Sequence, residues 1–329
     1  MPVALVSGIS GFVGSHLAEY LLANTDWEIV GMCRWRSPLD NIQSLIPEIN
    51  NGDRVRLVYA DLRDGIAVRE AVEQANPTHV FHLAAQSYPK TSFSSPLDTL
   101  DTNVQGTVRL LDALRKSDAE IHVCSSSEVY GRAKTIPIDE DAPFHPASPY
   151  AVSKVGADLM ARHYAEAYGM RIQVTRMFTH TGPRRGDVFA ESSFAKQIAM
   201  IEDGLIPPVV KVGNLKSLRT VADVRDAVRA YYMLLTVNPI IGEVYNIGGS
   251  HTCTVGDILN TLLSMSAVKI GIEVDPGRLR PVDADLQVPC CDKFKSHTGW
   301  RPMIPFEQTM ADLLTHWRVQ VKRGAPLQR

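Results

Sequence analysis

The chain has 329 residues, is 45% hydrophobic and 21% charged, and carries a formal net charge of −2. That length supports one large domain or two modest ones, and the near-average composition excludes a disordered, collagenous or coiled-coil protein. The charge leaves no footprint for sequence-independent nucleic-acid binding, and no apolar run reaches the roughly 20 residues that cross a bilayer.

The first strand is expected at 3–7, a few residues from Met1, which leaves no room for a signal peptide. Further short apolar runs at 27–33, 55–59, 79–83, 121–124 and 172–176 read as buried strands. Between them, 14–23, 67–74, 96–116 and 149–168 have the length and period of helices. Strand and helix alternating in this way predict an α/β fold: a Rossmann doubly wound parallel sheet with helices on both faces. Such strands are apolar throughout, as Val3-Ala4-Leu5-Val6 is. After about 177 the rhythm loosens, with Gly182-Pro183, Pro207-Pro208, Gly248-Gly249 and Pro276-Gly277 as breakers. The expected division is a dinucleotide domain of 1–178 plus about 218–247, and a smaller C-terminal α/β substrate lobe of about 179–217 plus 248–329. Five cysteines without a Cys-x-x-Cys spacing suit reduced thiols in a cytoplasm.

Strand one runs into Gly8-Ile9-Ser10-Gly11-Phe12-Val13-Gly14. One glycine permits the tight turn, one lets backbone amides approach a pyrophosphate, and one lets the helix pack close to the strand. The helix N-terminus adds unpaired N–H groups and partial positive charge. Gly8, Ser10, Gly11, Phe12, Val13 and Gly14 are therefore the first cofactor-binding candidates. Strand two ends at Cys33-Arg34-Trp35-Arg36-Ser37, with no acid before Asp40. An NAD site usually places a carboxylate here for the ribose hydroxyls. Arg34, Arg36 and Ser37 instead suit a 2′-phosphate, making NADP the expected cofactor, with a solvated basic loop as the alternative.

At the end of strand five stands Ser125-Ser126-Ser127-Glu128, the edge where open α/β sheets hold ligands. A hydroxyl of Ser126 or Ser127 there can bond a reacting substrate oxygen. Glu128 can remove a proton α to a carbonyl, a step a simple alcohol dehydrogenase never needs. Its alternative role is to cap the following turn. Tyr150 and Lys154 lie four apart at the start of a helix, on one face. A free phenol has a pKa of about 10, so a neighbouring ammonium and a positive nicotinamide ring are expected to pull Tyr150 down into working range as a base. His79, His82, His122 and His163 are not paired at metal-ligand spacing, and no metal is expected. Trp300 and Trp317 read as core anchors.

Together the glycine turn, Asp61-Leu62, Leu83-Ala84-Ala85, Asn103, the serine-rich turn and Tyr150/Lys154 resemble the extended short-chain dehydrogenase/reductases over essentially the whole chain. Within them the chain is similar to the nucleotide-sugar enzymes, above all the GDP-mannose 4,6-dehydratase family. The similarity extends to 34–42, Phe81-His82-Leu83-Ala84-Ala85-Gln86-Ser87, 180–186 with its Gly-Pro-Arg-Arg-Gly, and the segments 213–219 and 275–281. It implies dinucleotide contacts from Asp61, Leu62, Leu83, Ala84, Ala85, Asn103, Tyr150 and Lys154. It also implies a GDP-sugar site of Gln86, Ser87, Thr179, Lys196, Val212, Asn214, Arg219, Arg280 and Asp283, in which Arg219 and Arg280 clamp the diphosphate.

The implied reaction oxidises C4 of GDP-mannose with Tyr150 as base, eliminates the C5 proton and the C6 hydroxyl through Glu128, and returns hydride to C6. The cofactor stays bound throughout. Departures from the dehydratase pattern are Ser126 in place of Thr, Thr179 in place of Asn, and Ser193 in place of a basic residue. Phe194-Ala195-Lys196-Gln197-Ile198 and Val244-Tyr245-Asn246 look more like the related GDP-4-keto-6-deoxy-mannose reductases. An NADPH-dependent 4-reductase and a 4-epimerase are thus the alternative activities, and a non-catalytic nucleotide sensor is the alternative outside enzymes. The resemblance further implies a homodimer or tetramer through a four-helix bundle built from 107–114 and 157–167, with 34–42 at a tetramer contact.

Overall fold

Seven short apolar runs align side by side in the computed structural model, which describes residues 1–279 and 284–324. The strands are β1 (Val3–Ser7), β2 (Glu28–Cys33), β3 (Val55–Tyr59), β4 (His79–His82), β5 (Glu120–Cys124), β6 (Ile172–Met177), β7 (His180–Thr181), β8 (Val209–Val212), β9 (Leu218–Asp223), β10 (Val244–Ile247), β11 (His251–Thr254), β12 (Gly271–Val274) and β13 (Leu286–Gln287). The large sheet has the order β10-β6-β5-β4-β1-β2-β3, and every pairing in it is parallel. The order reverses between β1 and β4, so the crevice for a ligand opens at their carboxyl ends.

Successive residues of each strand serve opposite faces. Ala4, Val6, Ile29 and Phe81 pack against Leu17 and Leu21 of the helix Phe12–Asn24 and against Val228 and Leu234 of Val224–Thr236. Leu5, Val30, Val80, Ile121 and Ile172 meet Val68 and Val72 of Gly65–Ala75, Leu110 and Leu111 of Gly106–Ala113, and Ala161 of Pro149–Tyr168. Both faces are covered, which is why the strands are apolar without alternation. Each such Leu, Ile or Val contributes about 1.5–3 kcal/mol by leaving water. Trp300, fully buried, anchors the first of these layers.

The expected helix over 96–116 is not continuous. It divides into Pro96–Leu100, a π-helical turn Asp101–Gln105 and Gly106–Ala113. At the junction Gly106 lies against Leu62, where an added Cβ would stand 2.7 Å from the Leu62 Cβ. The turn also places Asn103 inward, buried between the sheet and the helix Pro149–Tyr168.

Beyond β6 the chain builds smaller sheets. β9 pairs with β11, β13 and β7, and β8 pairs with β12. Helices Ala190–Glu202, Val255–Ser264 and Phe306–Lys322 share a core with Val210, Val212, Val221 and Trp317. β9 therefore runs in the smaller part, while Val224–Thr236, β10 and the later residues Phe294 and Trp300 return to the large sheet. Among the described residues no helix is long and apolar enough to cross a membrane.

Candidate active site

The glycine turn forms the first wall. Gly8 has φ +76°, a left-handed conformation that glycine adopts without strain, and a Cβ there would come within 3.0 Å of Ala84 Cα. At Gly14 a Cβ would fall 2.2 Å from the Gly8 carbonyl oxygen. The helix Phe12–Asn24 starts from Gly11 with no side-chain cap. Its first-turn amides and dipole are thus left to an anion, which fits a pyrophosphate cradle. Asn41 Nδ2 donates to the Ser10 carbonyl at 3.1 Å and ties the following loop to the turn.

Arg34 and Arg36 are exposed at the end of β2, and no carboxylate stands beside them in the chain before Asp40. Asp61 is gripped by Arg63 through Nε–Oδ1 at 3.0 Å and Nη2–Oδ2 at 2.7 Å, and Arg63 also bonds Asp98 at 2.8 Å. That grip, aided by Arg34, holds the Asp61 carboxyl below its ordinary range. Leu62 is buried beside it.

The opposite wall is the helix Pro149–Tyr168. Its start is set by Ser148, whose hydroxyl accepts the Ala151 N–H at 3.1 Å, followed by Pro149, and its end by Gly169 in the left-handed region. Tyr150 and Lys154 are both buried on one face. Lys154 Nζ donates to the Cys124 carbonyl at 2.7 Å, and burial lowers its pKa. The Ser126 hydroxyl is near enough to the Tyr150 phenol to favour its ionised form.

The expected lowering of the phenol by Lys154 is not what this pocket produces. Burial pushes Tyr150 up first, while the Ser126 hydroxyl and the charge of Arg185 act in the opposite direction. The ammonium is turned to the Cys124 carbonyl instead. Glu128 stands half-buried in the turn Ser127–Val129, close enough for its charge also to raise Tyr150. The cap of this turn is Ser126, whose hydroxyl accepts the Glu128 N–H at 3.2 Å. Ser126, Ser127, Glu128, Tyr150 and Lys154 therefore gather at the carboxyl end of β5.

Arg185 escaped the residue-by-residue reading. Its guanidinium lies 3.4 Å from the Phe189 ring centre and 5.2 Å from that of Phe12, pairs with Glu191 at 3.4 Å, and reaches Tyr150 electrostatically. Phe12 in turn stacks on His180 at 5.8 Å. The only hint was the doubled arginine of Gly-Pro-Arg-Arg-Gly, where Arg184 takes φ +71° and turns instead to Asn41 and Glu19.

Several expected contacts are engaged within the protein. Asn103 accepts the Gln86 N–H at 2.8 Å and donates to the Gln86 carbonyl at 2.9 Å and to Ser153 Oγ at 2.8 Å. The Gln86 side chain bonds Thr99 and the Tyr88 backbone. Ser87 is exposed, and Thr179 is half-buried with its carbonyl on the Ala222 N–H. Lys196 is buried, 2.8 Å from Asp187 and over the Trp317 ring. Val212 lies in the core of the smaller part. Asn214 bonds Ser217 and Asp285, and Arg219 donates to the Leu218 carbonyl. Arg280 and Asp283 lie outside the described residues. Among those described, no group of three or more His, Cys, Asp or Glu side chains could hold a metal ion.

Comparison with known proteins gives these walls a context. The family model described as GDP-mannose 4,6 dehydratase matches residues 5–313. A GDP-6-deoxy-D-mannose reductase of Pseudomonas aeruginosa is 32% identical, aligned over 96% of this chain and 97% of its own. A GDP-mannose 4,6-dehydratase of Yersinia enterocolitica is also 32% identical, over 99% and 96%. The structure of RMD from Pseudomonas aeruginosa complexed with NADPH superposes with a TM-score of 0.81 at 29% identity, covering 97% of this chain and 99% of that one.

Proposed function

The chain belongs to the GDP-mannose 4,6-dehydratase family, and from that membership we propose that it is an NADP-dependent lyase converting GDP-mannose into GDP-4-keto-6-deoxy-mannose. When bound, the oxidised nicotinamide supplies a hydride acceptor and later donor, and a positive charge beside Tyr150. Tyr150 takes the proton of the C4 hydroxyl, and the nearby Ser126 hydroxyl favours the phenolate for that transfer. The resulting 4-ketone acidifies C5. Glu128 removes the C5 proton, the C5–C6 double bond forms, and the C6 hydroxyl leaves as water with a proton relayed through Ser126 or Ser127. Lys154, held on the Cys124 carbonyl, keeps a positive charge under the reacting end.

One observation carries the choice of a lyase. Glu128 stands with its charge on Tyr150, while the cap of its own turn is made by Ser126. A carboxylate there supports removal of a C–H proton, a step that reduction of a 4-ketone does not need. Arg34 and Arg36 support NADP, since guanidinium groups suit a 2′-phosphate. The same reading has the dinucleotide on the large sheet and the sugar nucleotide against the smaller lobe. It also has two copies pairing through the 107–114 and 157–167 segments, where Leu159 is 46% exposed.

The second reading, NADPH-dependent reduction of the 4-keto sugar, is favoured by Ser193, whose hydroxyl accepts from Arg278 at 2.9 Å where the dehydratase pattern has a basic side chain. Incubating the NADP-loaded protein with GDP-mannose and no reductant tests the two. The lyase accumulates the 4-keto chromophore. No product from GDP-mannose, with NADPH absorbance instead lost when the 4-keto sugar is supplied, establishes the reductase.

A further inference from the structure

A chain of buried hydrogen bonds runs beneath the site and reaches the Tyr150 backbone through Ser7, His82, Thr107 and Ser153, to which the proposed chemistry gives no role. Ser7 at the end of β1, His82 at the end of β4 and Thr107 in the helix Gly106–Ala113 are all buried. Ser7 Oγ lies 2.9 Å from His82 Nδ1, and His82 Nε2 lies 2.9 Å from Thr107 Oγ1. Thr107 donates to the Asn103 carbonyl at 2.6 Å, Asn103 Nδ2 donates to Ser153 Oγ at 2.8 Å, and Ser153 donates to the Tyr150 carbonyl at 2.6 Å. At the other end the Leu83 and Ala84 amides donate to Ser7 Oγ at 3.0 and 3.1 Å.

Counting protons fixes the direction of every bond. Thr107 has one hydroxyl proton and spends it on Asn103, so it must accept from His82, which therefore carries its proton on Nε2. Nδ1 is then bare and accepts the Ser7 proton, while the Ser7 oxygen takes the two amides. A protonated imidazole would place a second donor on Nδ1, where Ser7 already has its oxygen committed, and would set a second cation near Lys154. Burial and Lys154 accordingly hold the ring neutral, at about 3, with His122 the other ionisable ring close by and likewise neutral.

We infer that His82 is a positioning residue of this active site, fixing through Ser7 and Thr107 the placement of the Leu83–Ala84 segment relative to the helix that carries Tyr150 and Lys154. The inference rests on the Tyr150 chemistry proposed above. The dinucleotide held on Leu83–Ala84 and the Tyr150 base must meet one substrate carbon in register, and a displacement of 1 Å can cost about a hundredfold in rate. The chain supplies that register because it has no alternative arrangement of its protons.

The test uses the NADP-loaded full-length protein. Thr107→Val is predicted to lower kcat about tenfold with KM for GDP-mannose within about twofold, and Thr107→Ser, which keeps the hydroxyl, to restore kcat. Ser7→Ala is predicted to reproduce the loss. The double variant Ser7→Ala/Thr107→Val is predicted to be no worse than either single one, because both cut the same chain. Unchanged kcat in Thr107→Val, failure of Thr107→Ser to rescue, or additive losses overturn the inference. Should the variants fail to fold, 15N-histidine NMR of the unmodified protein decides. His82 is predicted as the Nε2–H tautomer without titration between pH 8 and 5, and an Nδ1–H or titrating ring overturns the chain. Wild-type protein inactive on GDP-mannose would count against the proposed function instead, and the NMR result would still stand.

Discussion

Tyr150 and Glu128 form an ill-matched pair at rest: a buried phenol already pushed up, with a carboxylate nearby raising it further. A phenol so placed works as a base only beside added positive charge, which ties proton removal at C4 to a loaded cofactor site. Tyr150→Phe should therefore abolish turnover while leaving dinucleotide affinity within a few-fold, measured by fluorescence titration. Glu128→Gln removes the base but keeps the side-chain volume. It should cut kcat by about a hundredfold or more with little change in KM, as expected for a group acting in the transition state. Arg34→Ala combined with Arg36→Ala should narrow any preference for NADP over NAD by at least about tenfold, read from the two dissociation constants. Tyr150, Lys154 and Glu128 were legible in the sequence because a four-residue spacing and a strand-end turn are local signals. Arg185 was not, because its value depends on Phe12 and Phe189 arriving on either side of it from distant segments.

The elements that hold these side chains follow common chemistry. Ser148, Pro149 and Gly169 delimit the helix carrying Tyr150, and its bounds could be read from those residues alone. The interruption at Asp101–Gln105 could not be, since a helical period over 96–116 gives no sign that Gly106 must approach Leu62. A buried pair locks the same helix to β6: Asp158 and Arg176 are bonded at 2.9 and 3.2 Å, and Arg176 also donates to the Tyr130 hydroxyl and the Glu140 carbonyl. Asp158→Ala would leave an uncompensated guanidinium in the core. It should destabilise by about 3–5 kcal/mol in a denaturant melt, whereas Ser148→Ala should cost only about 1 kcal/mol.

At the scale of the whole molecule the buried and half-buried imidazoles set the acid limit. Burial first, aided by neighbouring cations, holds His16 and His316 at about 4 and His82, His122 and His180 at about 3. Folded, they are neutral; unfolded, they take up protons at about 6.5. The unfolded state therefore binds more protons below that pH, and stability falls as pH drops from about 6.5 toward about 4, each group costing up to about 1.4 kcal/mol per pH unit. Thermal melts should show Tm level above about pH 7 and falling steeply below about pH 6.

Deuterium reports on the chemistry itself. In D2O, with NADP bound and no reductant added, turnover of GDP-mannose should give a 4-keto-6-deoxy sugar labelled at C5, with the original C4 hydrogen carried to C6 and no net NADPH formed or consumed. A product with unlabelled C5, or one that appears only as NADPH is oxidised, would contradict the account.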